Sequence, residues 1–524
     1  MNTVKEFFSL ISLIPQEAKA FLFIGFVALF FAHYLHLKRN KYERVLLVLA
    51  AFSLASSFAL FDPFLHMWDE SFHALVAKNA ADNLLAPHLL NSPDYGYKPL
   101  LWVNNYIWLH KPPLALWQMA LSIDLFGQNI YAVRLPSVLA FSATTFFVHG
   151  IGKYLFNRNV AFFGAVLFIL YQFMLEQVAG IHTADHIDVS FTLYITASLW
   201  AWLRFKESKR KTDLLLIGLF AGLAVLTKWL VGLLIFGAWG GYFILLLFSK
   251  RKEAWNELLY ILSAVLLCIV VFLPWNIYAA VNYPNEYWFE FNHARRHFSE
   301  VIEGHGGELL YYWDNLDFLF GSEYMVSFIL FLSVISLLFM KMELQNKVVL
   351  SCFIFLPYLF FTFAATKMPN FVNIVSPVLL VVVAAFFFHL GNILKRRISL
   401  TPYFSLAITP VLFVFLLRPQ STIENHNFRA ATNYFAASHD FVKALDVSTA
   451  DLYIYTDFHH YENIVHMFYH PSTAILDIPL NKELERLVDK GKKIVILYKS
   501  EYPDLKNVPK EIKVIRARIE DQKR

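Results

Sequence analysis

The chain of 524 residues is poor in charged residues and in cysteine. Only 16% of its residues are charged, against about 25% in a typical soluble protein. Hydrophobic residues make up 57%, in runs near the ~20 residues that cross a bilayer. Cys268 and Cys352 both lie in apolar runs, which argues against a disulfide framework and a cysteine metal site. The low charge and the long apolar runs predict a polytopic membrane protein. The sequence shows no internal repeat and no nucleotide-binding glycine loop.

About twelve apolar segments are candidate membrane spans. They lie near 20–37, 44–61, 134–155, 160–178, 188–203, 213–229, 231–248, 257–278, 325–340, 348–365, 372–391 and 402–418. The first has no small-residue cleavage pattern after it, so we expect a retained helix. Basic residues cluster in alternate connections, such as 204–211 and 250–252. By the positive-inside rule those connections are cytoplasmic and both termini lie outside.

The C-terminal part of the chain has a different character. Polar sequence follows Pro419, with β-like runs at 452–456, 493–498 and 512–516 and helix-like stretches near 427–447 and 481–490. The predicted fold is mainly α. Residues 1–418 form a membrane helix bundle whose external loops, 62–133 and 279–324, carry the active site. Residues 419–524 form a small extracytoplasmic α/β domain.

A carboxylate pair, Asp69–Glu70, opens the first long external loop. Charged groups at a membrane boundary cost free energy unless they have partners or water, so they are functional candidates. The simpler interpretation is that they cap a helix that begins there. The functional one makes Asp69 a general base, supported by Glu70.

Two further polar motifs lie on the same predicted side. His110 to Trp117, in HKPPLALW, joins Lys111 to a double proline that suits a helix start; an ordinary interfacial helix entry is the alternative. Asp185 and Asp188 lie three residues apart, with His182 and His186 among them. These residues suit either a divalent metal site or a hydrated loop with capping aspartates.

Several cations occur on this side, where the positive-inside rule predicts few. They are Lys228, Arg295, Arg296 and Lys367, with His305 nearby. Their anion is either an internal carboxylate or a phosphate group, which arginine and lysine bind well. The four histidines of 457–470 match no standard zinc spacing.

Carboxylates for base work and cations for phosphate, in an outer-facing membrane cavity, suggest a sugar carried on a polyprenyl phosphate. A lipid or lipid-linked sugar transporter is the alternative function. Transporters place such residues near the bilayer midplane, often between repeated halves, whereas here they lie at span ends and no repeat is present. An acceptor lipid, glycan or protein is expected as the second substrate, and nucleic acid is not.

Five motifs between residues 60 and 390 resemble the GT-C superfamily of membrane glycosyltransferases. They are WDESFHALVAKN at 68–79, HKPPLALWQMALSIDLFGQNIYAVRLPSVLA at 110–140, GLFAGLAVLTKWLVGLL at 218–234, PWNIY at 274–278 with the following HARRH to HGGELLYY stretch, and TKMPNFVNIVSPVLL at 366–380. The chain is most similar to protein O-mannosyltransferases and to the bacterial aminoarabinose transferases that modify lipid A.

This resemblance implies an inverting glycosyltransferase of the cytoplasmic membrane with its active site outside. Asp69 matches the catalytic aspartate and Glu70 its partner, with a divalent metal possible at Glu70, Asp188, His182 and His186. The matching donor-phosphate positions are Lys111, Arg134, Lys228, Arg295 or Arg296, His305 and Lys367. Asp188, with Asp185 competing, matches the second aspartate. Phe72, His73 and Phe371 depart from the lipid A group, so its sugar and acceptor do not carry over.

Overall fold

The computed structural model describes residues 14–95, 103, 105–182, 186–321, 324–394, 409–410, 416–417, 434–446, 450–458, 461–476, 478–479, 481–499 and 509–519. Most of this part is helical. The helices are α1 Gln16–Leu37, α2 Glu43–Ala59, α3 Asp69–Ala80, α4 Leu114–Phe126, α5 Ile130–Leu155, α6 Arg158–Ile169, α7 Gln172–Val178, α8 His186–Ser208, α9 Lys211–Lys228, α10 Leu234–Ser249, α11 Arg251–Asn282, α12 Pro284–Ser299, α13 Tyr311–Asp314, α14 Leu316–Phe320, α15 Tyr324–Phe339, α16 Leu344–Phe363, α17 Ser376–Leu394, α18 Tyr434–Ala444, α19 Glu462–Tyr469 and α20 Asn481–Asp489.

Helices occupy eleven of the twelve predicted span positions, and the twelfth, 402–418, lies almost wholly outside the described residues. Among the described residues, six helical segments are long and apolar enough to cross a membrane. They are Gln16–Leu37, Ile130–Leu155, Lys211–Ser249, Arg251–Asn282, Leu344–Phe363 and Pro369–Gly391. A seventh is formed if α6 and α7, which meet at a 51° bend, are taken as one span. The chain is an integral membrane protein, and the count of about twelve spans stays a prediction.

Local sequence explains where the helices of the first external loop begin. α4 begins directly after Pro113, because proline's fixed φ and missing N–H suit a helix start. α5 begins after Asn129, whose side chain accepts a 2.8 Å hydrogen bond from the Ala132 backbone N–H. The turn between them passes through Gly127 at φ 81°, a conformation that favours glycine.

The C-terminal residues form a four-stranded parallel sheet in the order β2-β1-β3-β4. The strands are β1 Leu452–Thr456, β2 Thr473–Ile475, β3 Ile494–Tyr498 and β4 Lys513–Arg516. β1, β3 and β4 lie at the predicted segments, whereas β2 and α19 were not predicted. Such parallel strands, buried on both faces, read as apolar runs without alternation, as LYIYT and IVILY do.

This sheet shares a hydrophobic core with the loop 62–133. Phe72 and Leu75 of α3 are buried in one cluster with Tyr455 of β1 and Met467 of α19. The Lys78 Nζ donates a 2.6 Å hydrogen bond to the Met467 carbonyl, so a polar contact between α3 and α19 lies beside the apolar ones. The predicted domain boundary at 418/419 lies outside the described residues, but the loop and the sheet pack as one body.

Candidate active site

Glu70 is the buried centre of a charged group at the start of α3. The Nε of Arg134 donates to Oε1 at 2.6 Å and Nη2 to Oε2 at 3.1 Å. His186 lies 3.1 Å from Oε1, and the His66 backbone N–H donates to Oε2 at 2.6 Å. Burial alone would raise the pKa of Glu70, but the charge of Arg134 and the hydrogen bonds from His186 and Arg134 hold it well below its ordinary value. Glu70 is therefore a fixed anion.

Arg134 is used entirely inside the protein, which corrects its predicted role at the donor phosphate. A guanidinium carries five N–H donors. Two bind Glu70, and the others donate to the backbone carbonyls of Ala59, Asp62 and Phe64. The side chain is fully buried. Arg134 thus ties α5 and Glu70 to the end of α2.

Asp69 is the first residue of α3 and is half-buried. Consecutive helical residues project about 100° apart, so the two carboxylates of the pair leave the helix in different directions. Both lie in the first turn, where the helix dipole favours anions, as the capping interpretation requires. Glu70, however, is held by Arg134, so the pair divides into a structural and an accessible carboxylate.

A second charged group lies two residues along α8 from His186. Asp188 forms an ion pair with Lys228 at the end of α9 and accepts a 3.2 Å hydrogen bond from the Asn370 amide. The Lys228 ammonium also lies 5.6 Å from the centre of the Phe371 ring. The first turn of α8 therefore links the Glu70 group, through His186, to this cation.

Lys111 lies beside a cluster of ionisable residues from α12. His110 Nδ1 is 2.9 Å from a carboxylate oxygen of Glu290, and the rings of His110 and His293 are 5.5 Å apart. Burial raises the pKa of Glu290 to about 7, against the opposing charges of His293 and Lys111. Burial lowers the pKa of His110 well below its ordinary value, and Lys111 lowers it further.

Sequence reasoning missed Glu290. Its signal was present in FEFNHARRH, because Glu290, His293 and His297 recur at intervals of three and four residues and share one helix face. The flanking Arg295 and Arg296 instead favoured the interpretation of a phosphate site. Glu290 is a buried carboxyl that exchanges its proton near neutral pH, which suits acid–base work.

The turn around Lys367 is joined to the loop 279–324 through backbone hydrogen bonds. Ala365 and Thr366 donate to the carbonyls of Phe298 and His297, and Lys367 donates to that of His305 at 2.8 Å. The Lys367 side chain is buried, and its Nζ donates to the Ala364 carbonyl at 2.6 Å. His305 and Lys367 are therefore neighbours through their backbones.

Arg295 and Arg296 both lie on the exposed side of α12. Arg296 pairs with Glu300 one turn later, with 2.8 Å and 2.7 Å contacts. A phosphate role for either arginine gains no support from this placement.

The predicted metal site is not formed by the described residues, in which no group of three or more histidine, cysteine or carboxylate ligands converges. His182 lies 2.8 Å from Glu176, and Asp188 is paired with Lys228. Asp185 lies outside the described residues. The set of Glu70, Asp188, His182 and His186 stays a prediction.

Two histidines of the 457–470 cluster have ordinary structural partners. His466 contacts the Tyr455 hydroxyl at 2.9 Å and Ser472 at 2.7 Å. His470 Nε2 lies 2.7 Å from the Val442 carbonyl oxygen. The other two, His459 and His460, lie outside the described residues.

Left-handed backbone is concentrated near these groups. In the described residues, seven residues other than glycine have positive φ, among them Trp68, Trp229, Glu303 and Tyr461. Trp68 (φ 62°, ψ −125°) precedes Asp69, and Trp229 (φ 59°, ψ −159°) follows Lys228. Such conformations are normal for glycine and cost other residues on the order of 1–3 kcal/mol, which is why they cluster at functional sites.

Known proteins resemble this chain both in sequence and in fold. Residues 110–278 match the family described as dolichyl-phosphate-mannose-protein mannosyltransferase. An undecaprenyl phosphate-aminoarabinose arabinosyl transferase of Pseudomonas fluorescens is 25% identical over 327 residues, or 60% of this chain and 55% of that protein. One from Proteus mirabilis is 26% identical over 359 residues, or 64% and 57%. The chain thus spans about half the length of the curated relatives it matches.

Solved structures extend the likeness over most of the chain. ArnT from Cupriavidus metallidurans, bound to undecaprenyl phosphate, superposes with a TM-score of 0.62 at 15% identity, covering 82% of this chain and 85% of that one. The oligosaccharyltransferase AglB of Archaeoglobus fulgidus gives 0.54 at 12% identity, covering 83% and 64%. In sequence the chain is therefore similar to the aminoarabinose transferases and the protein O-mannosyltransferases, and its fold is like that of the GT-C-type enzymes ArnT and AglB.

Proposed function

We propose that this protein is an inverting glycosyltransferase that moves a sugar from a polyprenyl-phosphate donor to an acceptor at the outer face of the cytoplasmic membrane. The acceptor group is a hydroxyl or a phosphate of a lipid, glycan or protein. The observation that carries the proposal is the first turn of α8, where His186 contacts Glu70 and Asp188 pairs with Lys228. It brings the carboxylate pair and a cation from distant parts of the sequence into one site.

Asp69 acts as the general base in this proposal. It takes the proton of the acceptor hydroxyl while the acceptor oxygen forms a bond to the anomeric carbon. The bond from that carbon to the phosphate oxygen breaks at the same time, and the polyprenyl phosphate leaves with the bonding electrons. A single displacement through an oxocarbenium-like transition state inverts the anomeric centre.

The lysines stabilise the negative charge that grows on the leaving phosphate. Lys111 lies in the loop 62–133, Lys367 in the turn after α16, and Lys228 at the end of α9. Lys228 is held by Asp188, and Lys367 by the Ala364 carbonyl. Because an ammonium has three donors, such an anchored lysine retains hydrogen atoms for phosphate oxygens.

The relatives support the donor class. Their names specify an undecaprenyl-phosphate sugar, and the ArnT structure holds undecaprenyl phosphate. The departures at Phe72, His73 and Phe371 argue for a sugar or an acceptor other than those of the lipid A enzymes.

A direct transfer assay tests the proposal. Purified protein in lipid is incubated with a panel of polyprenyl-phosphate sugars and a membrane acceptor extract, and product mass is followed. We expect transfer by the wild type and none by Asp69→Asn. Glu300→Gln, a carboxylate change at the exposed α12 pair, is the matched control. Absence of donor turnover and of donor binding in the wild type would exclude the proposal and favour the transporter alternative.

The predicted orientation has a separate test, because only two cysteines must be removed. In a Cys268→Ser, Cys352→Ser background, Arg295→Cys and Lys250→Cys each place one thiol at an exposed position. A membrane-impermeant thiol reagent added outside should label the first variant and not the second. The reverse pattern would place the active site in the cytoplasm.

A further inference from the structure

Asp69 is preceded by a tryptophan in a backbone conformation that suits glycine. Trp68 has φ 62° and ψ −125°, and its carbonyl already accepts the 3.1 Å hydrogen bond from Phe72 that begins the helix. Any relaxation of Trp68 would therefore change where α3 starts and where Asp69 lies. Strain of this kind persists only when the surroundings fix it.

Tyr461 is one of the groups that fix Trp68. The two rings are 4.8 Å apart at an angle of 58°, and the Tyr461 ring is also 5.3 Å from Phe72, which lies one turn along α3. Tyr461 is itself left-handed, with φ 57° and ψ 39°. Trp68 and Tyr461 thus both adopt backbone conformations that disfavour large side chains, and their rings pack against each other next to the proposed base.

Tyr461 belongs to the C-terminal α/β layer. It lies between β1 and α19, after the carboxyl end of β1. Asp457, which follows that strand, accepts a 2.6 Å hydrogen bond from the Lys499 backbone N–H, and this bond ties the end of β1 to the end of β3. The strand order reverses between β1 and β3, the position at which open parallel sheets place functional groups.

We propose that Tyr461 is a positioning residue for Asp69 that acts by holding Trp68 in its left-handed conformation. On this view the C-terminal α/β layer is part of the transferase itself, and it is required for turnover even when the membrane helices are intact. The proposal rests on the proposed function, because it takes Asp69 as the base of a glycosyl transfer. A small displacement of a catalytic group is enough to reduce a rate by about 10²-fold.

The test uses the full chain in lipid, with Tyr461→Asn, Trp68→Gly and the double variant. Asparagine removes the ring and tolerates left-handed backbone, and glycine suits the conformation of Trp68, so both variants are expected to fold. Each single variant should lower kcat about 10- to 100-fold and leave the donor KM within about twofold. The double variant should equal the single ones, because both remove one interaction.

Additional measurements separate positioning from general destabilisation. Tyr461→Phe keeps the ring and should retain most of the wild-type kcat. The acid limb of the pH–rate profile, which reports ionisation of the base, should move in Tyr461→Asn. Arg39→Asn is the matched control, because Arg39 is left-handed (φ 53°) but lies in the α1–α2 connection, and it should change neither quantity.

The outcomes distinguish the two proposals. A wild type without transfer would refute the proposed function. A wild type with transfer, together with a silent Tyr461→Asn, would refute the positioning role alone. If the losses of kcat multiplied in the double variant, Tyr461 would act independently of Trp68, and the positioning role would be refuted. If Tyr461→Phe lost as much kcat as Tyr461→Asn, Tyr461 would act through its hydroxyl, which would refute the role as well.

Discussion

Two buried charged groups of similar composition lie at opposite ends of α2. At its start, Glu43 pairs with Arg158 and lies 2.8 Å from His36. Beyond its end, Glu70 pairs with Arg134 and lies 3.1 Å from His186. Each group joins a glutamate, an arginine and a histidine from separate helices. Such groups fasten helix ends together, because buried charges must be paired and hydrogen-bonded.

Their surroundings differ. The Arg158 side chain of the Glu43 group is 32% exposed, whereas Arg134 and Glu70 are wholly buried. Asp69 precedes Glu70 in α3, and Asp188, with its partner Lys228, follows His186 in α8. The ion pair thus joins helices at both ends of α2. The proposed chemistry belongs only to the less buried neighbours of the Glu70 pair.

Replacing Asp69 should have the largest effect on turnover. We expect Asp69→Asn to lower kcat by about 10²–10⁴-fold, the usual contribution of a general base, with donor binding retained. Initial rates of transfer provide the measurement. Glu43→Gln, in the opposite group, serves as the comparison, and an equal loss of kcat there would remove the functional distinction between the two ends.

Breaking the two ion pairs should affect stability unequally. Glu70→Gln leaves Arg134 buried without its partner and should destabilise the protein by about 3–5 kcal/mol. Glu43→Gln should cost less, because water reaches Arg158. Thermal unfolding of both variants in the same detergent checks the order. Equal melting temperatures would show that burial does not separate the groups.

Lys228→Met tests the cation next to the Glu70 group. Loss of one phosphate contact should raise the donor KM about tenfold, which corresponds to about 1.4 kcal/mol. The matched control is Lys206→Met, near the other end of α8, where Lys206 pairs with Glu343. A similar rise of KM in both variants would indicate a general effect of removing a lysine.

Glu290 should make the stability of the protein depend on pH between about 4.5 and 7. The unfolded chain loses this proton near pH 4.5 and the folded protein near 7. Stability should therefore fall as pH rises through that window, by at most about 3 kcal/mol. Glu290→Gln should abolish this component in melts recorded from pH 4 to 8. Glu286→Gln, a change at a buried carboxylate on the same helix, should retain it.

Arg296→Ala should have the smallest effect. The exposed pair with Glu300 contributes little, so we expect an unchanged melting temperature and an unchanged donor KM. A clear rise in the donor KM, measured by donor titration, would restore Arg296 to the phosphate site predicted from sequence.

Sequence patterns predicted the positions of the elements well, because apolar runs, proline and asparagine act locally. The helices at eleven predicted span positions and the helix start after Pro113 follow from such signals. They predicted side-chain roles less well. Arginine suits phosphate and histidine suits metal, yet Arg134 and His182 bind other partners. Local sequence patterns do not connect either residue to its partner.

By itself, the sequence determined the membrane character, the segments that become helices and strands, and the convergence of polar motifs typical of GT-C proteins. Only the tertiary structure decided that Glu70 is a locked anion, that Glu290 exchanges its proton near neutral pH, and that the C-terminal layer places Tyr461 on Trp68. The reason is physical. Helix formation depends on neighbours along the chain, whereas burial, ion pairing and backbone strain depend on neighbours in space.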